Sequence, residues 1–198
     1  MAKKLLIFAD GDVGIAIVSW LAKYHHNNIA LIFTISDNEI SKICKNFGIE
    51  TVIFSCFEKV IAEISERKIS PELGFLVWWP KILTKEIISI ADFGFINTHP
   101  SLLPYARGKN YNFWTLVNDE PFGISCHFID KKIDSRSLIM QKKIAKDWVS
   151  KIIQSDYALE KIVNLSVNYR KDTLNRSYRD IFCAFNVVFR IKRQFSAS

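Results

Sequence analysis

The sequence predicts an α/β fold, a mostly parallel twisted sheet with helices on both faces, followed by a C-terminal helical tail. Three observations predict it. Short apolar runs alternate with segments of helical spacing through the first half of the chain, the cadence of β-α-β units. The runs are apolar without interruption, as parallel strands covered on both faces are. After Gly123 two segments alternate instead, which suits further strands added to the same sheet.

Leu5 to Ala9 is the first strand, opened by lysines and closed by Asp10-Gly11-Asp12. Gly14 to Lys23 places Ile15, Val18, Leu21 and Ala22 on one helical face. Ile29 to Ile35 is a second strand. Ser36 and Asp37 are candidate N-caps of a helix reaching Asn46, which Gly48 ends. Thr51 to Phe54 is a third strand, Glu58 to Arg67 a helix, and Leu73 to Trp78 a fourth strand stopped by Pro80. A short helix over Thr84 to Ile90 leads to a fifth strand, Phe93 to Asn97. Ile124 to Ile129 and Leu138 to Ile144 are the alternating segments. From Ser150 the tail reads as helix, with Tyr157, Ile162, Leu165 and Tyr169, then Ile181 to Ile191. Residues 1–150 are thus expected to form the working domain, with 151–198 a helical extension packed on it. There is no internal repeat, low-complexity tract or Pro/Gly-rich linker.

The 198 residues suffice for one domain with a substantial core. A hydrophobic fraction of 49% with 24% charged residues excludes disordered and fibrous classes. No apolar run approaches the ~20 residues needed to span a bilayer. Leu5 to Ala9, broken by Asp10, is too short for a signal peptide, so a cytoplasmic location is expected. Cys44, Cys56, Cys126 and Cys183 show no metal-like spacing and read as scattered reduced thiols; no metal is expected. The net charge of +7 favours a polyanionic partner such as a nucleotide, a phosphorylated substrate or RNA. The pair His25-His26 at a polar helix end reads as surface.

In open α/β sheets, ligands collect beyond the carboxyl ends of the strands. That rule selects Asp10-Gly11-Asp12, Trp78 to Leu83 and Asn97 to His99, with Asp134 just after an alternating strand; four strand ends are expected to converge on one crevice. Asn97 and His99 are two apart, so an extended backbone points both side chains the same way. An amide and an imidazole aimed at one point form an electrophilic pair for a developing oxyanion. Asp134 can orient the imidazole or accept a proton. Taken alone, the triplet reads sooner as a turn asparagine and a satisfied surface histidine.

The longer run Gly94-Phe95-Ile96-Asn97-Thr98-His99-Pro100-Ser101-Leu102-Leu103-Pro104-Tyr105-Ala106-Arg107-Gly108 resembles the signature of the formyltransferases that use 10-formyltetrahydrofolate. A second stretch, Pro121-Phe122-Gly123-Ile124-Ser125-Cys126-His127-Phe128-Ile129-Asp130, matches as well and leads into Ile133-Asp134. The resemblance covers about Lys4 to Ile144 and implies a Rossmann-like sheet. It implies that Asn97, His99 and Asp134 are catalytic and that 10-formyltetrahydrofolate is the formyl donor, without a metal. An amine would attack the formyl carbon, Asn97 and His99 would stabilise the oxyanion, and Asp134 would hold His99 in its working state. By the same resemblance, Trp79, Pro80, Lys81 and Leu83 belong to the folate-binding loop, with Asp130 to Lys132 on its other side.

Asp10-Gly11-Asp12 departs from the glycine-, serine- and asparagine-rich phosphate loop of glycinamide ribonucleotide formyltransferases. Two carboxylates repel phosphate, so Asp10, Gly11 and Asp12 are candidates for binding hydroxyls or the incoming amine. Tyr105, Arg107, Lys109, Tyr111 and Trp114 form an aromatic and basic cluster suited to a base and a diphosphate, or else a solvated loop packed by its aromatics. A second departure is Arg136, in Asp134-Ser135-Arg136, where the family carries glycine. The basic tail from Tyr169 to Gln194 reads as a dimerisation or membrane-surface helix.

The expected substrate is therefore a nucleotide-linked amino sugar of cell-envelope glycan synthesis, with a homodimer as an expected assembly and no stable nucleic-acid partner. The alternatives are glycinamide ribonucleotide or methionyl-tRNA as acceptor, or a catalytically impaired folate-binding homologue.

Overall fold

The computed structural model describes residues 5–107, 115, 118–129 and 138–143. Among these residues seven strands are present: β1 (Leu5–Ala9), β2 (Ile29–Thr34), β3 (Thr51–Ile53), β4 (Leu73–Val77), β5 (Phe95–His99), β6 (Gly123–Ile129) and β7 (Leu138–Lys143). Among the described residues, the helices between these strands are α1 (Gly11–His25), α2 (Glu39–Asn46), α3 (Phe57–Glu66) and α4 (Lys85–Ile88). The strands are hydrogen-bonded in the order β3-β2-β1-β4-β5-β6-β7. From β3 through β5 every neighbouring pair is parallel. The chain moves outward from β1 to β3 and then returns to the opposite side of β1 with β4. The direction of winding therefore reverses between β1 and β4, the place where such sheets open a crevice at their carboxyl ends.

The chain divides into two compact units, Met1–Thr98 with His127–Leu138, and His99–Cys126 with Ile139–Ser198. In the first, Leu6, Phe8, Leu31, Phe33, Leu76 and Phe95 form one core cluster with Val60 and Ile64 of α3 and Ile87 and Ile88 of α4. Strand alternation turns Leu5, Ile7 and Ala9 to the opposite face, and they are buried too. This two-sided burial is what the uninterrupted apolar strands predict. Phe8 is the hub, stacked on Phe33 at 4.9 Å and tilted against Phe95 at 5.9 Å between ring centroids. Each fully buried phenyl ring contributes on the order of 2 kcal/mol through burial alone.

Two glycines mark close approach. A Cβ on Gly74 would overlap the Phe95 ring. One on Gly14 would sit 3.1 Å from Ile40 Cδ1 and 3.3 Å from the Ala9 carbonyl carbon, so the first turn of α1 presses against both β1 and α2.

Several boundaries differ from expectation. The N-cap of α2 is Asn38, whose Oδ1 accepts the Ile40 N–H at 2.9 Å, while Ser36 and Asp37 are exposed. Helix α1 begins earlier, at Gly11, directly after the extended Asp10. Strand β5 begins later, at Phe95, because Phe93 is exposed in a turn closed by Gly94 at a φ of +74°. His25 and His26 are half-buried rather than surface residues. The His25 ring lies 4.8 Å from Trp20, and His26 Nδ1 donates to the Ala22 carbonyl at 3.2 Å. Burial pulls the His25 imidazole below its ordinary value. Among the described residues, no helix is long and apolar enough to cross a membrane.

Candidate active site

In the first unit, the carboxyl ends of β1, β2 and β4 carry a connected set of polar groups. Asp10 leaves β1 extended, with its N–H donating to the Val77 carbonyl at 3.2 Å and its carbonyl accepting from Gly14 at 3.1 Å. Its side chain does not cap α1. It faces Asn38 instead, whose Nδ2 donates to Asp10 Oδ1 at 3.4 Å and to Thr34 Oγ1 at 3.0 Å. Asn38 thus joins the end of β2, the start of α2 and the Asp10 carboxylate. Asp10 is half-buried, while Gly11 (φ +61°) and Asp12 are exposed. Asn38 is not among the residues the sequence singles out; its one signal is an N-cap residue type two positions before the apolar Ile40.

Beyond β4 the loop turns sharply at Trp78, a non-glycine residue at a φ of +53° that remains 40% exposed. Trp79 folds back onto the core, edge-on to Phe8 at 5.2 Å and to Phe54 at 5.4 Å. Among the described residues, its buried indole N–H has no hydrogen-bond partner. Leu83 belongs to the same core cluster, and Lys81 Nζ lies 5.6 Å above the Phe54 ring. Trp79 and Leu83 therefore anchor the loop, whereas Trp78, Pro80, Lys81 and Ile82 are its exposed part.

Strand β5 carries Asn97 and His99, both half-buried, with Thr98 buried between them. Thr98 Oγ1 donates to the Leu76 carbonyl at 3.3 Å, which ties β5 to β4. Asn97 Nδ2 lies 3.4 Å from Nε2 of His127 on β6. His127 Nδ1 lies 3.1 Å from the Phe128 carbonyl, which can only accept, so Nδ1 carries the proton. Nε2 of the neutral ring is then an acceptor, and Asn97 presents its NH2 end to it. In the sequence His127 is visible as a member of the alternating segment Ile124 to Ile129 and of the matching stretch around it, but its partnership with Asn97 across the sheet leaves no local signal.

In the second unit, His99 Nε2 donates to the Ala106 carbonyl at 3.4 Å. The loop between them is held by the buried Ser125. Its hydroxyl donates to the Ser101 carbonyl at 2.7 Å and accepts from Leu103 N–H at 2.9 Å and Gln141 Nε2 at 3.0 Å. Gln141 also donates to the Leu103 carbonyl at 2.6 Å. The Leu103–Pro104 peptide within this loop is cis. Tyr105 and Arg107 are exposed at its far end. Asp134, Asp130, Lys132, Lys109 and Tyr111, with Trp114 and Arg136, lie outside the described residues.

Burial pushes the Cys126 thiol up to about 12 and raises that of Cys44. Among the described residues, no three His, Cys, Asp or Glu side chains group as metal ligands.

The chain matches the formyl transferase family model over residues 5–160. It is 31% identical over 150 residues to the bifunctional polymyxin resistance protein ArnA of Wigglesworthia glossinidia brevipalpis, an alignment covering 71% of this chain and 23% of that protein. It is 39% identical over 80 residues to the methionyl-tRNA formyltransferase of Thermodesulfovibrio yellowstonii, covering 40% of this chain and 26% of that one. The chain thus spans about a quarter of the length of these curated relatives. A solved structure of glycinamide ribonucleotide transformylase 1 from Symbiobacterium toebii shares its fold, with a TM-score of 0.68 and 15% identity over 92% of this chain and 85% of that one. The family match spans well over half of the chain and begins at β1, and on that ground the chain belongs to the formyl transferase family of enzymes.

Proposed function

We propose that the chain transfers a formyl group from 10-formyltetrahydrofolate to the amine of a nucleotide-linked amino sugar, in the synthesis of cell-envelope glycans. The observation that carries the acceptor class is the Asp10 carboxylate at the β1/β4 switch point, linked to Asn38 and followed by the exposed Asp12. Carboxylates there accept hydrogen bonds from hydroxyls and from an ammonium, and they repel a phosphate. The relative that aligns over the larger share of this chain is a polymyxin resistance protein rather than the methionyl-tRNA formyltransferase. Tyr105 and Arg107, exposed after the His99 loop, suit the nucleotide with Lys109 and Tyr111.

The residues fit a folate donor. Trp79 and Leu83 commit their side chains to the core, so the loop after β4 offers its backbone along with the exposed Trp78, Pro80, Lys81 and Ile82. Asp130 and Lys132 complete this donor site. In the transfer itself, the acceptor nitrogen bonds to the formyl carbon, whose π pair moves to oxygen, and the bond from that carbon to the donor nitrogen breaks as the carbonyl re-forms. Asn97 donates a hydrogen bond from its amide, and His99, in its protonated form, one from Nδ1–H, to the formyl oxygen while it carries negative charge. Asp134 keeps His99 in its protonated working state and takes up the proton lost by the ammonium, and that proton is passed on to the departing donor nitrogen.

The test is incubation of the protein with 10-formyltetrahydrofolate and a panel of dTDP- and UDP-linked amino sugars, with products read by mass spectrometry. Formylated sugar, lost on Asn97→Ala, is the expected result. Formylation of glycinamide ribonucleotide or methionyl-tRNA with none across the sugar panel would overturn the acceptor assignment.

A further inference from the structure

We infer that Glu120 is a positioning residue for His99, acting through the Tyr105–Ala106 peptide; this rests on the catalytic reading of His99. Ala106 is nearly buried and holds a φ of +45°, a conformation that costs a residue with a Cβ on the order of 1 kcal/mol. Such a conformation persists only when its surroundings impose it, and here two side chains do. Ser101 Oγ donates to the Tyr105 carbonyl at 2.9 Å, and Glu120 Oε2 accepts the Ala106 N–H at 2.9 Å. These are the two ends of one peptide group, so the plane is gripped on both sides. A charged acceptor on a backbone N–H is among the stronger hydrogen bonds available. Both clamps are themselves fixed: Ser125 Oγ donates to the Ser101 carbonyl at 2.7 Å, and the Glu120 N–H donates to the Thr115 carbonyl at 3.0 Å.

With that plane held and φ positive, sterics leave a residue with a Cβ only a narrow range of ψ, which confines the direction of the next carbonyl, that of Ala106. It accepts from His99 Nε2 at 3.4 Å. A carbonyl cannot donate, so the neutral His99 ring carries its proton on Nε2, and Nδ1 is the basic nitrogen. Glu120 thus selects the tautomer of His99 and the orientation of its ring, although its carboxylate bonds to the backbone rather than to the imidazole.

The test is nitrogen NMR of the ¹⁵N-histidine-labelled full chain, with His99 assigned by the loss of its signals in His99→Gln. The unaltered protein is expected to show a protonated Nε2 and an unprotonated Nδ1 in the neutral ring. Glu120→Ala, checked for a cooperative thermal transition, shifts the two nitrogens toward a tautomer mixture, whereas Glu120→Gln, whose amide oxygen still accepts from Ala106, does not. In formyl transfer, Glu120→Ala lowers kcat by roughly ten- to a hundredfold with little change in KM, as a misplaced catalytic group does. If Glu120→Ala does not fold, Ser101→Ala, which opens the other end of the clamp, is measured in its place. Unchanged ring-nitrogen shifts in a folded clamp variant overturn the inference. Retained transfer activity in His99→Ala would instead overturn the catalytic reading and leave the tautomer result to judge the clamp alone.

Discussion

Asn97 Nδ2 lies 3.4 Å from His127 Nε2, and the other ring nitrogen of His127 lies 3.1 Å from the Phe128 carbonyl. The second contact decides the first. Because a carbonyl holds the Nδ1 proton, Nε2 can only accept while the ring is neutral, and the Asn97 amide has one orientation that satisfies it. One N–H of Asn97 is spent on His127, and the second remains to donate elsewhere. A buried imidazole on β6, 8% exposed, thereby sets which end of the amide faces which way.

Replacing His127 should therefore impair transfer without removing a group that touches the reacting atoms. His127→Phe keeps the ring volume and loses the acceptor; kcat is expected to fall roughly tenfold or more with little change in KM. In His127→Gln the side-chain oxygen can accept from Asn97, so much of the rate should return. Steady-state kinetics of the two variants decide the matter: equal loss in both would show that His127 matters only as packing.

Asn38 makes the second prediction. It caps α2, bridges Thr34 and reaches Asp10, so Asn38→Ala should cost about 1–2 kcal/mol in urea unfolding. Ser36→Ala and Asp37→Ala, which alter exposed residues outside the cap, should stay within about 0.5 kcal/mol. A larger loss at Ser36 or Asp37 than at Asn38 would count against the cap assignment.

That contrast shows what the sequence could convey. Leu5–Ala9, Ile29–Thr34 and Leu73–Val77 were legible as strands because two-sided burial leaves an uninterrupted apolar run. The choice among Ser36, Asp37 and Asn38 was not legible, since all three are capping types and only Thr34 and Asp10 decide among them. The start of β5 was misplaced because Phe93 looks like a strand residue, while the turn at Gly94 removes it from the sheet. Asn97 and His99 could be singled out by type and spacing at a strand end. His127 and Glu120 could not, because each acts through a contact made only in the folded chain.

Gly74 makes the third prediction. A Cβ there would overlap the fully buried Phe95 ring, which packs against Phe8 in the core. Gly74→Ala is expected to destabilise by about 1–3 kcal/mol through overpacking. Pairing it with Phe95→Leu should recover part of that loss, because the smaller side chain vacates the space. Strict additivity of the two substitutions in thermal unfolding would contradict the contact.

Cys126 supplies the alkaline prediction. Burial pushes its thiol from 9.0 to about 12, so the folded state keeps the proton where the unfolded chain has lost it. The unfolded state binds fewer protons above 9.0, and stability therefore falls as the pH rises. The contribution is fully present below 9.0 and is lost progressively toward 12, at up to about 1.4 kcal/mol per pH unit. Cys126→Ala removes this linkage, so the stability difference between the two proteins should change in favour of the alanine variant across that interval. The same burial should protect Cys126 from thiol reagents in the folded protein, while the exposed Cys56 reacts. Both measurements belong in a Cys183→Ser background, so that the reacting thiols are the three described ones. Parallel stability curves above 9.0, or equal labelling rates at Cys56 and Cys126, would show that the thiol is not sequestered as the fold places it.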